Sequence, residues 1–128
     1  MSERGSNQGD GSLCNLEYLL VNLGRNQAMA ERLIRLFLET YPGLCQRLLE
    51  AAGIGDRSVL KDTLHDIRSS CVLFSAHQCV ELARDFEQAL RDETPQAGNG
   101  EWISMATSLC TLIQCMAMEL NAHLAQET

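Results

Sequence analysis

A chain of 128 residues with 45% hydrophobic content is long enough for one domain with a buried core, and it is too short for a catalytic domain joined to a separate regulatory one. The formal net charge of −7 argues against a nucleic-acid partner, because binding a polyanion requires a basic surface that releases counterions. Few prolines and β-branched residues, with abundant Leu, Ala, Glu, Gln, Arg and Met, favour helix over sheet, so we predict an all-α protein.

The start of the chain is expected to differ from the rest. Gly, Ser, Asn and Gln dominate it and bury too little apolar surface to fold, so we expect a disordered tail over residues 1–14 and one helical domain over residues 15–128. Leucines at helical spacing then precede Gly24, a residue type that commonly ends helices, and they predict a short helix. These leucines are Leu16, Leu19, Leu20 and Leu23.

The next predicted element is a long helix that Asn26 can cap. Apolar residues recur along it at steps of three and four, and it is expected to end at residues 53–55, which contain two glycines. Pro42 lies inside this stretch. Because proline removes one helical hydrogen bond and presses on the preceding turn, we expect a kink near residues 38–41. The apolar stripe consists of Met29, Leu33, Leu36, Phe37, Leu44 and Leu48.

Two helices joined by a tight turn are predicted to follow. Asp56 is a favourable cap for the first, whose buried stripe extends to Phe74. Ser75, with Gln78 three residues later, has the pattern of a capping box and predicts the start of the second helix. The stripes consist of Leu60, Leu64, Ile67, Cys71 and Phe74 in the first helix, and of Cys79, Val80, Leu82, Ala83, Phe86 and Leu90 in the second.

A loop with Pro, Gly and Asn over residues 94–100 precedes the last predicted helix, whose apolar residues run from Ile103 to Leu120. Short connections between long amphipathic helices favour antiparallel neighbours, so we predict an antiparallel up-down four-helix bundle with a short N-terminal cover helix. No apolar run approaches the ~20 residues of a membrane span, and the first ten residues contain no hydrophobic signal core. We therefore expect a cytoplasmic protein without a membrane partner.

The six cysteines and two of the three histidines are interpreted as structural. The cysteines form no CxxC pair and no metal-ligand spacing, and nothing basic flanks one closely enough to activate a thiolate, so most are expected in the core. His77 falls in the first turn of its helix, which favours a surface role. His123 lies four residues after Glu119, where an ion pair is a simpler interpretation than a two-ligand metal site. We expect no metal.

The residues that suggest chemistry lie on the helix that Asp56 begins. His65 is followed at i+3, i+4 and i+7 by Arg68, Ser69 and Val72, on a face that differs from the buried stripe and is expected to point at least partly outward. An exposed imidazole is largely neutral near pH 7 and can hold a phosphoryl group on nitrogen. Arg68 can bind the phosphoryl oxygens, and Ser69 is small enough to let a partner approach.

A further residue is expected to hold the other ring nitrogen of the histidine. The predicted turn centres near Ser75, so His65 should lie level with residues 85–87 in an antiparallel hairpin. Glu87 falls beside the apolar face of its helix. A carboxylate there that accepts Nδ1–H would leave Nε2 free to attack, so we predict this role for Glu87.

The segment Leu64–Cys71, with the sequence LHDIRSSC, resembles the signature of the histidine-containing phosphotransfer (HPt) domain family, which typically reads His-x-x-Lys-Gly followed by Ser or Ala. Three other segments resemble the family in the same order and at similar spacing. They are Leu33–Glu39, Gly55–Asp56 and Glu81–Glu87. The resemblance covers roughly residues 16–120.

This resemblance implies a monomeric bundle that accepts a phosphoryl group from the aspartate of one receiver domain and donates it to another. His65 would carry the group at Nε2, and Glu87 matches the family's Glu or Gln on the following helix. Arg68 and Ser69 stand where the family usually has Lys and Gly, and Ser75 stands where it often has Gly. Arg68 keeps the charge of the family's cation without its compact shape.

The same resemblance implies response-regulator receiver domains and a hybrid sensor kinase as partners. The chain has no Gly-rich nucleotide loop, so we expect no ATP-dependent kinase activity and no cofactor of its own, with Mg²⁺ supplied by the receiver. Two other interpretations stay open. One is a module of the same fold that docks on a receiver or kinase without transfer, which Arg68 and Ser69 motivate. The other is a structural bundle with no signalling role, which predicts that His65 is buried.

Overall fold

The computed structural model describes residues 12–92 and 99–127, which form five α-helices and no strand. The all-α prediction is confirmed. We number the helices in chain order as α1 Leu16–Asn22, α2 Gln27–Ile54, α3 Arg57–Leu73, α4 His77–Asp92 and α5 Asn99–Glu127. The predicted loop over residues 94–100 lies mostly outside the described residues, but α5 already includes its last two positions.

Side-chain caps fix where the first three helices begin. Asn15, Asn26 and Asp56 each have extended backbone, and each side chain accepts a hydrogen bond from the backbone N–H three residues later, at 3.0, 3.0 and 3.2 Å. Such a cap typically stabilises a helix by about 1 kcal/mol. The caps predicted at Asn26 and Asp56 are confirmed.

Helix α2 continues through Pro42 as one element of 28 residues. It ends at Ile54, and Gly55 follows with φ of 75°, a left-handed conformation that glycine adopts without steric cost. The N–H of Gly55 is donated to the carbonyl of Ala51. The predicted end of this helix at residues 53–55 is therefore confirmed.

The turn between α3 and α4 differs from the sequence prediction. Ser75 has φ of 55°, and its N–H is donated to the Val72 carbonyl at 3.0 Å, while the Ala76 N–H is donated to the Cys71 carbonyl at 2.8 Å. These two bonds form a Schellman motif, which ends a helix. The capping box predicted at Ser75 is thus wrong: Ser75 ends α3, in a position where glycine is favoured, and α4 begins at His77.

The long helices pack in a ring. Helix α2 contacts α3 and α5, and α4 contacts the same two helices, while α1 packs on α2. Every long helix contributes fully buried side chains, including Ile34, Leu48, Leu64, Phe86 and Ile113. The rings of Phe37 and Phe74 meet edge to face at 5.5 Å and join α2 to the end of α3. Four free cysteines, Cys45, Cys71, Cys79 and Cys110, are buried in this core as predicted, whereas Cys115 is exposed.

The segment before α1 is bound to α5. The two carboxylate oxygens of Glu119 accept the backbone N–H groups of Leu13 and Cys14, both at 2.8 Å, and these two residues pack against the core. The last residues of the predicted tail therefore have fixed contacts. Residues 1–11 lie outside the described part of the chain.

Helix α5 is long and apolar enough, over Gly100–Gln126, to cross a membrane by length and composition. The sequence prediction did not identify such a run. The core helix of a soluble protein has the same composition, and α5 buries residues at helical spacing against the other helices, among them Trp102, Leu109 and Leu120.

Candidate functional site

The site is built on the outward face of α3. Leu60, Leu64, Ile67 and Cys71 are buried, so the helix turns its opposite side to solvent, and His65 is exposed there. None of the residues that the structure describes hydrogen-bonds the His65 imidazole. The exposure of His65 contradicts the interpretation of the chain as a purely structural bundle, which required this histidine to be buried.

Ser69 lies one helical turn after His65 and is also exposed. Its hydroxyl is donated to the backbone carbonyl of His65 at 3.0 Å. Bonding of this kind, from a helical serine to the residue four positions earlier, turns the hydroxyl back onto its own helix. The Ser69 side chain is therefore held against α3 by this bond.

Arg68 and Glu87 form an ion pair that joins α3 to α4. The Arg68 Nε atom lies 3.1 Å from Glu87 Oε1, and Nη2 donates a hydrogen bond to Oε2 at 3.3 Å. The Nε contact is close but not aligned as a hydrogen bond, and this nitrogen is buried. The side chains of Arg68 and Glu87 are only 32% and 16% exposed, so water screens this pair less than it screens a surface pair.

The partner predicted for Glu87 is therefore wrong. The hairpin argument placed Glu87 in the correct region, but its carboxylate holds Arg68 and has no hydrogen bond to His65. The physical reason is charge: a guanidinium is a permanent cation with several donors, whereas a neutral imidazole offers a single N–H. The structure brings Arg68 and Glu87 together and leaves the ring of His65 outside this pair.

Two features around the histidine were not predicted as parts of the site. Asp66, the next residue, lies 3.7 Å from Arg47 of α2, in an exposed ion pair. Val72, two helical turns after His65, is an exposed apolar residue, at 56%. The spacing of Val72 from His65 was visible in the sequence, but the contribution of α2 depends on helix packing that no local pattern specifies.

The other candidate ligands do not gather into a metal site. His77 is exposed at the start of α4, in the first turn as predicted. Glu119, four residues before His123, uses both oxygens on backbone N–H groups. Within residues 12–92 and 99–127, no group of three or more His, Cys, Asp and Glu side chains is arranged to hold a metal ion.

Two comparisons relate the chain to known proteins. The family model of the Hpt domain matches residues 32–126, a range that includes His65, Arg68 and Glu87. The chain also resembles the solved HPT domain from the Hpt sensor hybrid histidine kinase from Shewanella, with a TM-score of 0.75 and 16% sequence identity over 89% of this chain and 95% of that one. At this identity the likeness concerns the fold. No curated protein matches the sequence.

Proposed function

Because the chain belongs to the Hpt domain family, we propose that it is a phosphorelay intermediate of two-component signalling. Hpt domains are phosphotransfer modules rather than kinases, and they interact with receiver and kinase domains. In this proposal His65 accepts a phosphoryl group from the aspartate of one receiver domain and passes it to the aspartate of another response regulator.

The observation that carries the proposal is the exposed His65 ring, which has no hydrogen-bond partner among the described residues and lies beside a cation on the same helix. The lone pair of Nε2 attacks phosphorus in line with the leaving aspartate oxygen, so the N–P bond forms as the P–O bond to aspartate breaks. Transfer onward reverses these steps. The chain has to present the imidazole and help neutralise the charge of the phosphoryl oxygens.

The fold suits this task. We interpret helices α2–α5 as an antiparallel up-down bundle with α1 as its cover helix, since each long helix contacts two others and short turns join α2 to α3 and α3 to α4. A bundle of this kind holds α3 rigidly, so the outward face offers a fixed nucleophile. Exposed Val72, on the same face of α3 as His65, gives a receiver domain apolar surface to dock on.

The remaining parts of the proposal concern partners and surroundings. We propose that the protein works as a cytoplasmic monomer with receiver domains and a hybrid sensor kinase, and without a nucleic-acid or membrane partner. The net charge of −7 supports the exclusion of nucleic acid. The chain uses no cofactor of its own in this proposal, and the Mg²⁺ belongs to the acidic pocket of the receiver.

One observation favours a second function, docking on a receiver or kinase without phosphoryl transfer. Glu87 already holds the guanidinium of Arg68, so the cation beside His65 is not wholly free to bind a phosphoryl group. In that case, a receiver would bind the chain and keep its phosphoryl group.

Labelling by phosphorylated receiver domains separates these two functions. The wild-type protein is expected to gain a label that is labile in acid and stable in alkali, and His65→Gln is expected to gain none. His77→Gln is the matched control, because His77 is also exposed but lies on α4. Binding of receivers without any label on the wild type would support the docking function, and equal labelling of His65→Gln would refute both assignments of the site.

A further inference from the structure

We infer that Glu87 positions the Arg68 guanidinium, so that one edge of this group stays on Glu87 while the other edge binds the phosphoryl group on His65. The inference rests on the proposed function and deepens it, because it assigns a positioning residue to that same site. It also gives a reason for arginine, rather than lysine, at position 68.

The atoms of the ion pair show which edge of the guanidinium is used. Nε and Nη2 face the two carboxylate oxygens of Glu87, at 3.1 and 3.3 Å. Nε is buried, although the Arg68 side chain as a whole is 32% exposed. The exposed part is therefore the far end of the group, where Nη1 has no hydrogen-bond partner in the part of the chain that the structure describes. This end is free to donate to an anion.

Helix geometry makes Arg68 and His65 neighbours on the surface of α3. Residues three apart on a helix are neighbours on its surface, and side chains lean toward the helix N-terminus. Arg68 follows His65 by three positions, so its side chain extends back over the turn that carries His65. A phosphoryl group on the imidazole would lie within reach of the Nη atoms, while Glu87 on α4 keeps the guanidinium from turning away.

Arginine can serve both anions at once because its donors lie along two edges of a planar group. Lysine has a single ammonium, which would remain on the carboxylate or leave it for the phosphoryl group. Arg68 and Glu87 therefore act as a unit. A carboxylate so close to the transferred group would otherwise repel it, and the intervening guanidinium separates the two negative charges.

Phosphoramidate tests this inference without a receiver domain. It transfers its phosphoryl group to histidine as its P–N bond breaks and ammonia leaves. His77→Gln and His123→Gln leave His65 as the single histidine of the chain. In this background Glu87→Ala is expected to slow phosphorylation of His65 about tenfold, comparable to loss of a hydrogen bond to a charged group. Glu87→Gln, which keeps an acceptor for the guanidinium, should retain most of the rate.

Two further measurements show whether Glu87 acts through Arg68. Arg68→Ala should slow the reaction at least as much as Glu87→Ala, and the double variant should be no slower than Arg68→Ala alone. The ³¹P chemical shift of phosphorylated His65 should change in Glu87→Ala and stay near the wild-type value in Glu87→Gln. A purely structural role of Glu87 would leave this shift unchanged in a folded protein.

Glu17→Ala is the matched control, because it removes the same charge from an exposed ion pair between Glu17 of α1 and Arg25 of the turn that follows. It should react at the wild-type rate, and circular dichroism should show all variants to be folded. Glu87→Ala reacting as fast as the wild type, or faster, would overturn the inference and make Glu87 inert or a competitor for Arg68. Since no receiver takes part, this failure is distinct from failure of relay between receivers.

Discussion

The two faces of α3 show how one helix separates stability from chemistry. Leu64 and His65 are adjacent in the sequence, yet Leu64 is fully buried and His65 is exposed, because neighbouring side chains on a helix point about 100° apart. The inward face packs against other helices. The outward face presents side chains with few fixed partners. Substitutions on one face should therefore leave the property that depends on the other unchanged.

The largest effect on stability is expected on the inward face. Leu64→Ala removes a fully buried side chain and leaves a cavity, so it should lower the free energy of unfolding by about 2–5 kcal/mol. His65→Gln should change it by no more than about 0.5 kcal/mol, as is usual for surface positions. Urea denaturation measures both values. Equal destabilisation by the two substitutions would contradict the claim that stability depends on the inward face of α3 and not on the outward one.

A smaller effect, of opposite sign, is expected where α3 ends. Ser75 has φ of 55°, a conformation that costs most residues energy but not glycine. Ser75→Gly should therefore raise the free energy of unfolding by about 0.5–1 kcal/mol. Ser75→Ala keeps the strained conformation and should remain close to the wild type. Thermal unfolding measures both variants. Equal stability of Ser75→Ala and Ser75→Gly would show that the backbone is not strained at this turn.

The smallest effect concerns the buried thiol of the inward face. The neighbouring Cys79 thiol and burial in the core raise the pKa of Cys71 above the ordinary thiol range. In the unfolded chain a thiol ionises above about pH 8.5, whereas the folded protein keeps the proton on Cys71. The stability that this group contributes is thus fully present below about pH 8.5 and is lost progressively as the pH rises above that value.

Urea denaturation at a series of pH values between about 7 and about 9.5 measures this loss. Cys71→Ala should reduce the decline in unfolding free energy at alkaline pH. Cys115→Ala is the control, because Cys115 is exposed, and it should decline as the wild type does. An unchanged decline in Cys71→Ala would mean that the inward face does not hold this thiol protonated.

Local sequence patterns predicted the ends of helices correctly where the residue at the end has a single plausible role. The caps at Asn26 and Asp56 and the end of α2 near Gly55 are in the predicted places. Ser75 shows where such reasoning fails: a serine before a helix can cap it or can end the preceding one, and the choice depends on backbone conformation. The contact of Glu119 with the segment before α1 spans more than one hundred residues, and no local pattern encodes it.

The candidate site, like the fold, was predicted in part. Helical spacing was enough to place His65 and Ser69 on an outward face, and the hairpin register brought Glu87 near this region. The partner of Glu87 could not be predicted, because the hairpin register fixes the level of Glu87 along α3 but not which side chain its carboxylate binds. Side-chain length and charge decided it in favour of Arg68.

Relay through His65 is the central claim, and a pulse and chase tests it most directly. A phosphorylated receiver domain first labels the protein, and an excess of a second, unphosphorylated receiver is then added after the first has been removed. We predict that mapping at alkaline pH finds the label on the peptide that contains His65, and that the chase moves it to the aspartate of the second receiver. Label that never reaches His65, or that stays there with every receiver tested, would contradict relay.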